Sequence, residues 1–432
     1  MIIKEIEGCR IFGSKNLKYA FSLGVQKVKD FTDEPSQNYI SAPLDLILCS
    51  DCKLIQLKHT FDKSFLYTHY WYRSATSPTM VKELKNIVEL AESIVSLAQG
   101  DIVVDIGSND GTLLKQYQTP GLCKIGFEPS NLSKYGEGQD IEIINEFFND
   151  ESLSKATNGR KVNVFTSIAM FYDLDDPNDF VRSIKKHMSD DGVWIVQMNY
   201  LALMIKNLGF DNICHEHVAY YSLGTFMKLL ESHGLEIFDV TLNNVNGGSF
   251  RTLIKHKHDK SKKINSQGIE SIIKEEERLG LEKIETYLSF QKTIQAFKAS
   301  FLKLIKGILE DGKTIMIYGA STRGLVILEY CGIDERIVKL ATDKNSDKWG
   351  KYLSGTGIKI VPLDTYRKIR PDYLLVLPYQ YVNEIFTQER DFINGGGKII
   401  IPLPEPRILE AGYGTEIGVE ESSSFLPGYD KI

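Results

Sequence analysis

Two stretches of this chain follow the same pattern: DIVVDIGSNDGTLLKQY at 101–117 and KTIMIYGASTRGLVILEYC at 313–331. Each passes from an apolar run into a turn of small residues and then into a segment patterned as a helix, a β–turn–α unit. The alternation continues after both. CKIGFEP, IEIINEFF, VNVFTSIAMFY, GVWIVQMNY, LEIFDVTL and SFRTLIKH follow the first unit; IVKLATDKN, IKIVP, DYLLVLPY and GKIIIPLP follow the second. Helical spacing is expected near 79–97, 178–188, 223–233 and 266–310, where Ile294, Phe297, Phe301, Leu304 and Ile308 form one apolar stripe. Strands alternating with helices predict an α/β fold with mainly parallel sheets covered on both faces.

With 432 residues there is room for two or three domains. The pattern divides into a small Cys-containing module (1–78), a first α/β domain (79–260), a helical connector (261–310) and a second α/β domain with a tail (311–432). The last 30 residues, with turn formers and a Glu/Ser run, are expected on the surface. A net charge of −6 argues against a nucleic-acid binder. MIIKEIEGCR lacks the apolar core of a secretory signal, and no run of about 20 apolar residues suggests a membrane span. A cytoplasmic chain is expected, as a monomer or small homo-oligomer.

The two turns differ in charge. In the first, Asp105, Gly107, Asn109 and Gly111 surround a site of close backbone approach, and Glu128 ends the next strand. Glycine permits that approach, Asn109 tolerates a left-handed conformation, and an acid placed like Glu128 accepts ribose hydroxyls. A dinucleotide and S-adenosylmethionine both suit this geometry. Asp110 would crowd a pyrophosphate but not a methionine end, which favours the methyl donor. Ser167, closing a later strand, joins the expected donor set, as does Tyr72. The second turn has no acid and carries Arg323, with Asp343 ending the next strand. It suits a phosphate-bearing ligand, or it is a nucleotide-type fold that only packs.

Six cysteines are too few for a disulfide scaffold. Cys49 and Cys52 form a CxxC, and Cys9 stands alone with Phe12 where a second pair would be completed. The three are candidate zinc ligands, with His59 or His69 as replacement donors. Cys123 and Cys331 read as buried thiols. DNICHEHVAYYSL at 211–223 gathers Cys214, His215, Glu216, His217, Tyr220 and Tyr221. Its histidines are not four apart, so it matches no metalloprotease signature. In an extended segment His215 and His217 share one face. Histidine is the commonest base of near-neutral pKa, and a hydrogen-bonded structural pair is the competing reading.

Taken together, LCSDCKLIQL, YWYRS, DIGSNDGTLL, HEHxxYYSL, GGSFR and YGASTRG with TDKN resemble the sugar C-methyltransferases of bacterial deoxysugar pathways. The likeness spans nearly the whole chain. It implies a class I methyltransferase Rossmann-like domain that binds S-adenosylmethionine. It also implies an N-terminal zinc module with four cysteines, and a second, C-terminal Rossmann-like domain that helps hold a nucleotide-linked 4-keto sugar. Glu216 and His217 carry over as active-site residues, with His217 as the base that forms an enolate. Cys214 and Tyr220 complete the expected catalytic set. Tyr70, Tyr172, Asn199, Asn246 and Arg323 form the expected substrate set. This chain departs from the family at Phe12, Cys214, Tyr172 and Asn246. An O-methyltransferase and a non-catalytic nucleotide-sugar-binding protein are the competing functions.

Overall fold

The computed structural model describes residues 2–28, 30–35, 39–136, 138 and 140–412; the Glu/Ser run of the tail lies outside the described residues. A seven-stranded sheet forms the middle of the molecule. From edge to edge it runs Ile141–Ile144, Cys123–Phe127, Ile102–Ile106, Val162–Ile168, Met188–Asn199, Ser249–His256 and Leu235–Asn243. The first five are mutually parallel, and Ser249–His256 is antiparallel to both its neighbours. In chain order that is third, second, first, fourth, fifth, seventh, sixth, with the seventh strand reversed: the class I methyltransferase arrangement. Every residue of Ile102–Ile106 is buried, as the continuous apolar run requires of a central parallel strand. Strand order reverses beside it, so the open crevice falls at the carboxyl ends of Ile102–Ile106 and Val162–Ile168.

The helix expected after the first glycine turn is reduced to a 3₁₀ turn, Leu114–Gln116. Asp110 Oδ1 takes the Thr112 hydroxyl at 2.5 Å, and Pro120 and Gly121 stop the segment almost at once. The sheet face is covered instead by Pro78–Ile94, capped by the Ser77 side chain and burying Met80, Leu84, Ile87, Val88 and Ala91. Leu113, Leu114 and Tyr117 pack into the same cluster.

The expected module boundary at residue 78 is crossed twice. Leu17–Lys27, Ser41–Cys49 and Ile55–Leu57 form an antiparallel sheet whose fourth strand is Ala219–Tyr220, from the HEHVAYY segment. Phe31–Thr32 pairs with Tyr352–Leu353 and so becomes the edge of the C-terminal sheet. That sheet is built on Ile315–Tyr318, Leu340–Thr342, Lys359–Val361, Tyr373–Val376 and Lys398–Ile401. The long helical region is broken into Ser266–Leu279 and Ile284–Glu310, the break set by left-handed Gly280. The second helix buries Phe290, Ile294, Phe297, Phe301, Ile305 and Ile308 against this chain's own strands. Ile305 takes the place expected for Leu304, which is half-buried.

Candidate active site

A cavity of about 590 Å³ opens at the crevice. Asp105, Gly107, Asn109 and Glu128 line it, with Ala169 and Met170 on the neighbouring strand end. Gly107 has φ +74°, and a Cβ there would lie 3.1 Å from Met170 Cγ, so a side chain would both strain the turn and narrow the cleft. Asn109, at φ +54°, donates its backbone N–H to Glu128 Oε2 at 2.8 Å, and Ser130 N donates to Oε1 at 2.9 Å. The acid at the second strand end is thus locked beside the turn, with lone pairs left for hydroxyl donors. Burial raises its pKa, while the Ser130 and Asn109 donors lower it. Burial also pushes Asp105 up to about 7, against the Thr166 hydroxyl bound at 2.6 Å.

The YWYRS segment roofs this cleft. Asn109 holds it from below, donating to Tyr72 O at 2.9 Å and accepting from Ser74 N at 3.0 Å. Tyr70 and Tyr72 line the cavity, the two residues 36% and 38% exposed.

Three expected donor-site features lie elsewhere. Ser167 is fully buried and its Oγ accepts from Trp194 Nε1 at 3.1 Å, so strand alternation turns it away from the cleft. Gly111 is a packing position: its Cβ would stand 2.8 Å from Gly136 Cα. Asp110 points to Ala75 N, 2.9 Å away, and to Thr112, so it secures the roof and does not face a ligand.

The HEH segment touches the wall of this cleft where Tyr67, which lines it, donates to Glu216 O at 3.2 Å. Tyr172, Asn199, Asn212, His217 and Tyr220 line a separate, largely apolar niche of about 10 Å³. His217 Nδ1–H donates to the Asn212 carbonyl at 2.8 Å, which leaves the ring lone pair on Nε2. The Tyr172 ring lies against it, centroid to centroid 4.3 Å. Burial, with the nearby Arg323 charge, lowers its pKa to about 3, so the ring is neutral at any ordinary pH. Burial first, and then the charge of Glu216, pushes the Cys214 thiol well up, so it remains protonated and is no base. Burial likewise keeps the Tyr172 and Tyr220 hydroxyls protonated. His215 is structural: its Nε2 meets Ala42 O at 3.2 Å and its ring packs edge-on to Phe61. Tyr221 turns toward Phe171 and Phe226, away from the niche.

Asn199 donates to Asn212 Oδ1 at 2.8 Å and to Asn246 O at 3.1 Å, and Asn246 lines the large cavity. Arg323, expected to hold phosphates or sugar, is spent on protein partners. It donates to Asp211 Oδ2 at 2.9 Å and to Asn246 O at 2.7 Å. Asp211 and Asn212 were missed in the sequence, although an acid inside the apolar stretch GFDNIC demands a buried partner.

Cys9, Cys49 and Cys52 converge, all three sulfurs lying within 4.8 Å of one another and Cys9 Sγ 3.4 Å from Cys52 Sγ. Tetrahedral zinc thiolates stand about 3.8 Å apart, so the cluster fits three of four ligands. Phe12 is 48% exposed and offers none. His59 lies toward Glu5 and His69 is exposed, so neither completes the set.

A reversed seventh strand, a glycine turn locked to an acid at the next strand end, and a neutral histidine close by define a class I methyltransferase. The comparisons specify it further. Residues 80–240 match the family described as "Methyltransferase domain" and 244–404 the family described as "C-methyltransferase C-terminal domain". The C-methyltransferase NovU of Streptomyces niveus is 30% identical over 420 residues, 95% of this chain and 98% of that protein. The chain belongs to this C-methyltransferase family, and it is an S-adenosylmethionine-dependent enzyme that methylates carbon. Solved structures that it resembles include the mitomycin 7-O-methyltransferase MmcR, at 19% identity, 42% of this chain, 55% of that chain and TM-score 0.33. A Clostridium acetobutylicum methyltransferase matches at 14% identity, 41% of this chain, 92% of that chain and TM-score 0.33. The fold assignment rests on the strand order, not on these likenesses. Among the described residues no helix is long and apolar enough to cross a membrane.

Proposed function

We propose that the methyl group goes to carbon 3 of a nucleotide-linked 4-keto-deoxysugar, through an enolate. The observation that carries this reading is the orientation of His217. Its Nδ1–H is fixed on Asn212 O, so Nε2 is the acceptor, in a largely apolar niche of about 10 Å³ that Tyr172, Tyr220, Asn199 and Asn212 also line and that must widen for a sugar to enter. Carbon 3 is acidic only because the adjacent ketone takes the charge. Nε2 accepts the carbon 3 proton, the C–H electrons become the C3=C4 bond, and the carbonyl π electrons move to oxygen. Protonated tyrosines are suited to stabilise that oxyanion. S-adenosylmethionine supplies an electrophilic methyl whose transfer leaves a neutral thioether. A ring with so low a pKa is by itself a weak base. The enolate charge beside it stabilises the imidazolium as it forms.

Substrate incubated in heavy water with enzyme and S-adenosylhomocysteine should take up deuterium at carbon 3. His217→Asn should slow that uptake at least about a hundredfold, the scale of a positioned base. Uptake that persists in this variant moves the base elsewhere.

We further propose that Cys9, Cys49 and Cys52 hold a structural zinc ion, with the fourth position filled from solvent. The support is the convergence of three buried thiols. Metal analysis should find about one equivalent, lost when Cys49 and Cys52 are both changed to Ser; metal-free protein with full activity refutes it.

A further inference from the structure

The C-terminal domain meets the active site through Arg323, on the helix Thr322–Cys331. Ser321 caps that helix by accepting from Gly324 N at 3.0 Å. Gly324 lets it sit close: a Cβ there would lie 2.6 Å from Leu377 Cβ. The guanidinium that emerges is 15% exposed and pairs with Asp211, whose side chain is 1% exposed. Asp211 Oδ2 takes Arg323 Nε at 2.9 Å, with Nη2 at 2.7 Å, and Oδ1 takes the Tyr379 hydroxyl at 3.0 Å. Both donors come from the C-terminal domain.

The next residue, Asn212, presents the carbonyl that orients His217. Its side chain is fixed too, donating to Gly209 O at 2.9 Å and accepting from Asn199 at 2.8 Å. Meanwhile Arg323 Nη1 donates to Asn246 O at 2.7 Å, and Tyr381 donates to Asn246 Oδ1 at 3.3 Å. Asn246 sits at φ +55°, a left-handed conformation that asparagine tolerates. It is also part of the cavity wall.

We propose that Arg323, Asp211 and Tyr379 are positioning residues for the methyl transfer, clamping the loop that orients His217 to the loop that walls the donor cleft. The inference rests on His217 being the base. It gives the second α/β domain a part in the chemistry other than nucleotide binding: one guanidinium holds two loops of the first domain in register. The groups facing His217 are Arg323, Tyr172 and Tyr220, with Cys214 and Glu216 on its own segment. Burial is the larger cause of the low His217 pKa and the Arg323 charge the second, so removal of Arg323 should raise the midpoint only in part and leave a local signature beside any loss of rate.

The test uses the full chain and reads three quantities: carbon 3 deuterium uptake, methyl transfer, and the nitrogen-15 titration of His217, identified by its loss in His217→Asn. Arg323→Gln should lower uptake and kcat at least about tenfold, since small misplacements of a reacting group cost that much or more. It should also raise the His217 midpoint and reduce the Nδ1–H tautomer. Arg323→Lys keeps the charge without the two-pronged grip, so it should keep the midpoint low while kcat stays depressed. A merely structural residue would lower the melting temperature and leave the His217 tautomer and kcat of the folded protein where they were, since loss of the charge alone would move only the midpoint. Arg323→Gln that folds with unaltered uptake and tautomer overturns the clamp. If Arg323→Gln does not fold, Tyr379→Phe decides: a severalfold loss of kcat with a shifted His217 tautomer supports the clamp, and wild-type values for both overturn it. If His217→Asn itself keeps full uptake, the base assignment fails first, whatever Arg323 does.

Discussion

The chain carries a strand followed by a glycine turn and an acid at the end of the next strand twice, once open and once closed. At 105–111 the turn borders a cavity of about 590 Å³, and the acid of the next strand, Glu128, lines that space. At 318–324 the equivalent acid, Asp343, is consumed from within: Ala320 N donates to it at 2.8 Å and the buried Lys348 ammonium lies 3.3 Å away. Lys348 also donates to Ala320 O at 2.7 Å, and Gly319 faces Pro378 so closely that a Cβ would stand 2.4 Å from its Cδ. A glycine turn followed by an acid therefore does not suffice for a nucleotide site. What distinguishes the two is whether a lysine of the protein already occupies the acid, and whether the ring of a proline fills the approach.

Glycine substitutions should break the comparison most sharply. Gly107→Val puts a β-branched side chain at φ +74°, against Met170 and into the cleft. Donor affinity should fall at least about a hundredfold, near 2.7 kcal/mol. Gly319→Val, at φ +86° and against Pro378, should instead cost stability, on the order of 3 kcal/mol. Donor affinity of the folded fraction should be unchanged. Calorimetric titration and thermal melts read the two separately; an equal loss of donor affinity in both variants would mean that the second turn also serves the donor.

The acids extend the comparison at smaller scale. Glu128→Ala should weaken donor binding about tenfold or more, roughly 1.4 kcal/mol. Asp343→Ala should leave donor affinity within about twofold, and destabilise by about 1–3 kcal/mol, because Lys348 keeps its charge in a buried site without its partner. A donor affinity that ignores Glu128→Ala would remove that residue from the cleft's function.

The sheets were legible because parallel strands buried on both faces read as mostly apolar runs, and IVVDI, VNVFTSI and VWIVQM do, with Asp105, Asn163, Thr166, Ser167 and Gln197 as their polar members. Gly107 and Glu128 were legible for a related reason: few residue types tolerate their backbone or position. Ser167 was not, since an apolar run buried on both faces hides which residues share the cleft side. The absent helix after Gly111 was misread because LLKQY fits helical spacing, and the coverage by Pro78–Ile94 that makes it unnecessary is a tertiary fact. Nor does the sequence show Ala219–Tyr220 joining Ile55–Leu57, a two-residue pairing across more than 160 positions with no pattern of its own. Arg323 was noticed as a charge, but its partner 112 positions away was not, so a clamp looked like an anion site.

The smallest effect tests the open turn by pH. Burial raises the Asp105 carboxyl from its usual 3.8 to about 7. It is protonated below that value and ionised above it. S-adenosylmethionine carries a positive sulfonium, which the ionised form attracts. Donor affinity should therefore climb with pH, roughly threefold between about pH 6.5 and 7.5 if the full charge is felt. Stability without donor should move the other way. A carboxyl whose folded pKa is raised stabilises the fold fully below its unfolded value near 3.8, and that contribution is lost as pH rises through about 7. The free protein should melt lower at pH 8 than at pH 5, and added donor should narrow the gap. Asp105→Asn cannot ionise, so both trends should flatten, with the Thr166 contact kept by the amide oxygen. If donor affinity in the wild type is level across this range while Glu128→Ala still weakens it, Asp105 belongs to the strand's packing, and Glu128 alone carries the difference between the two turns.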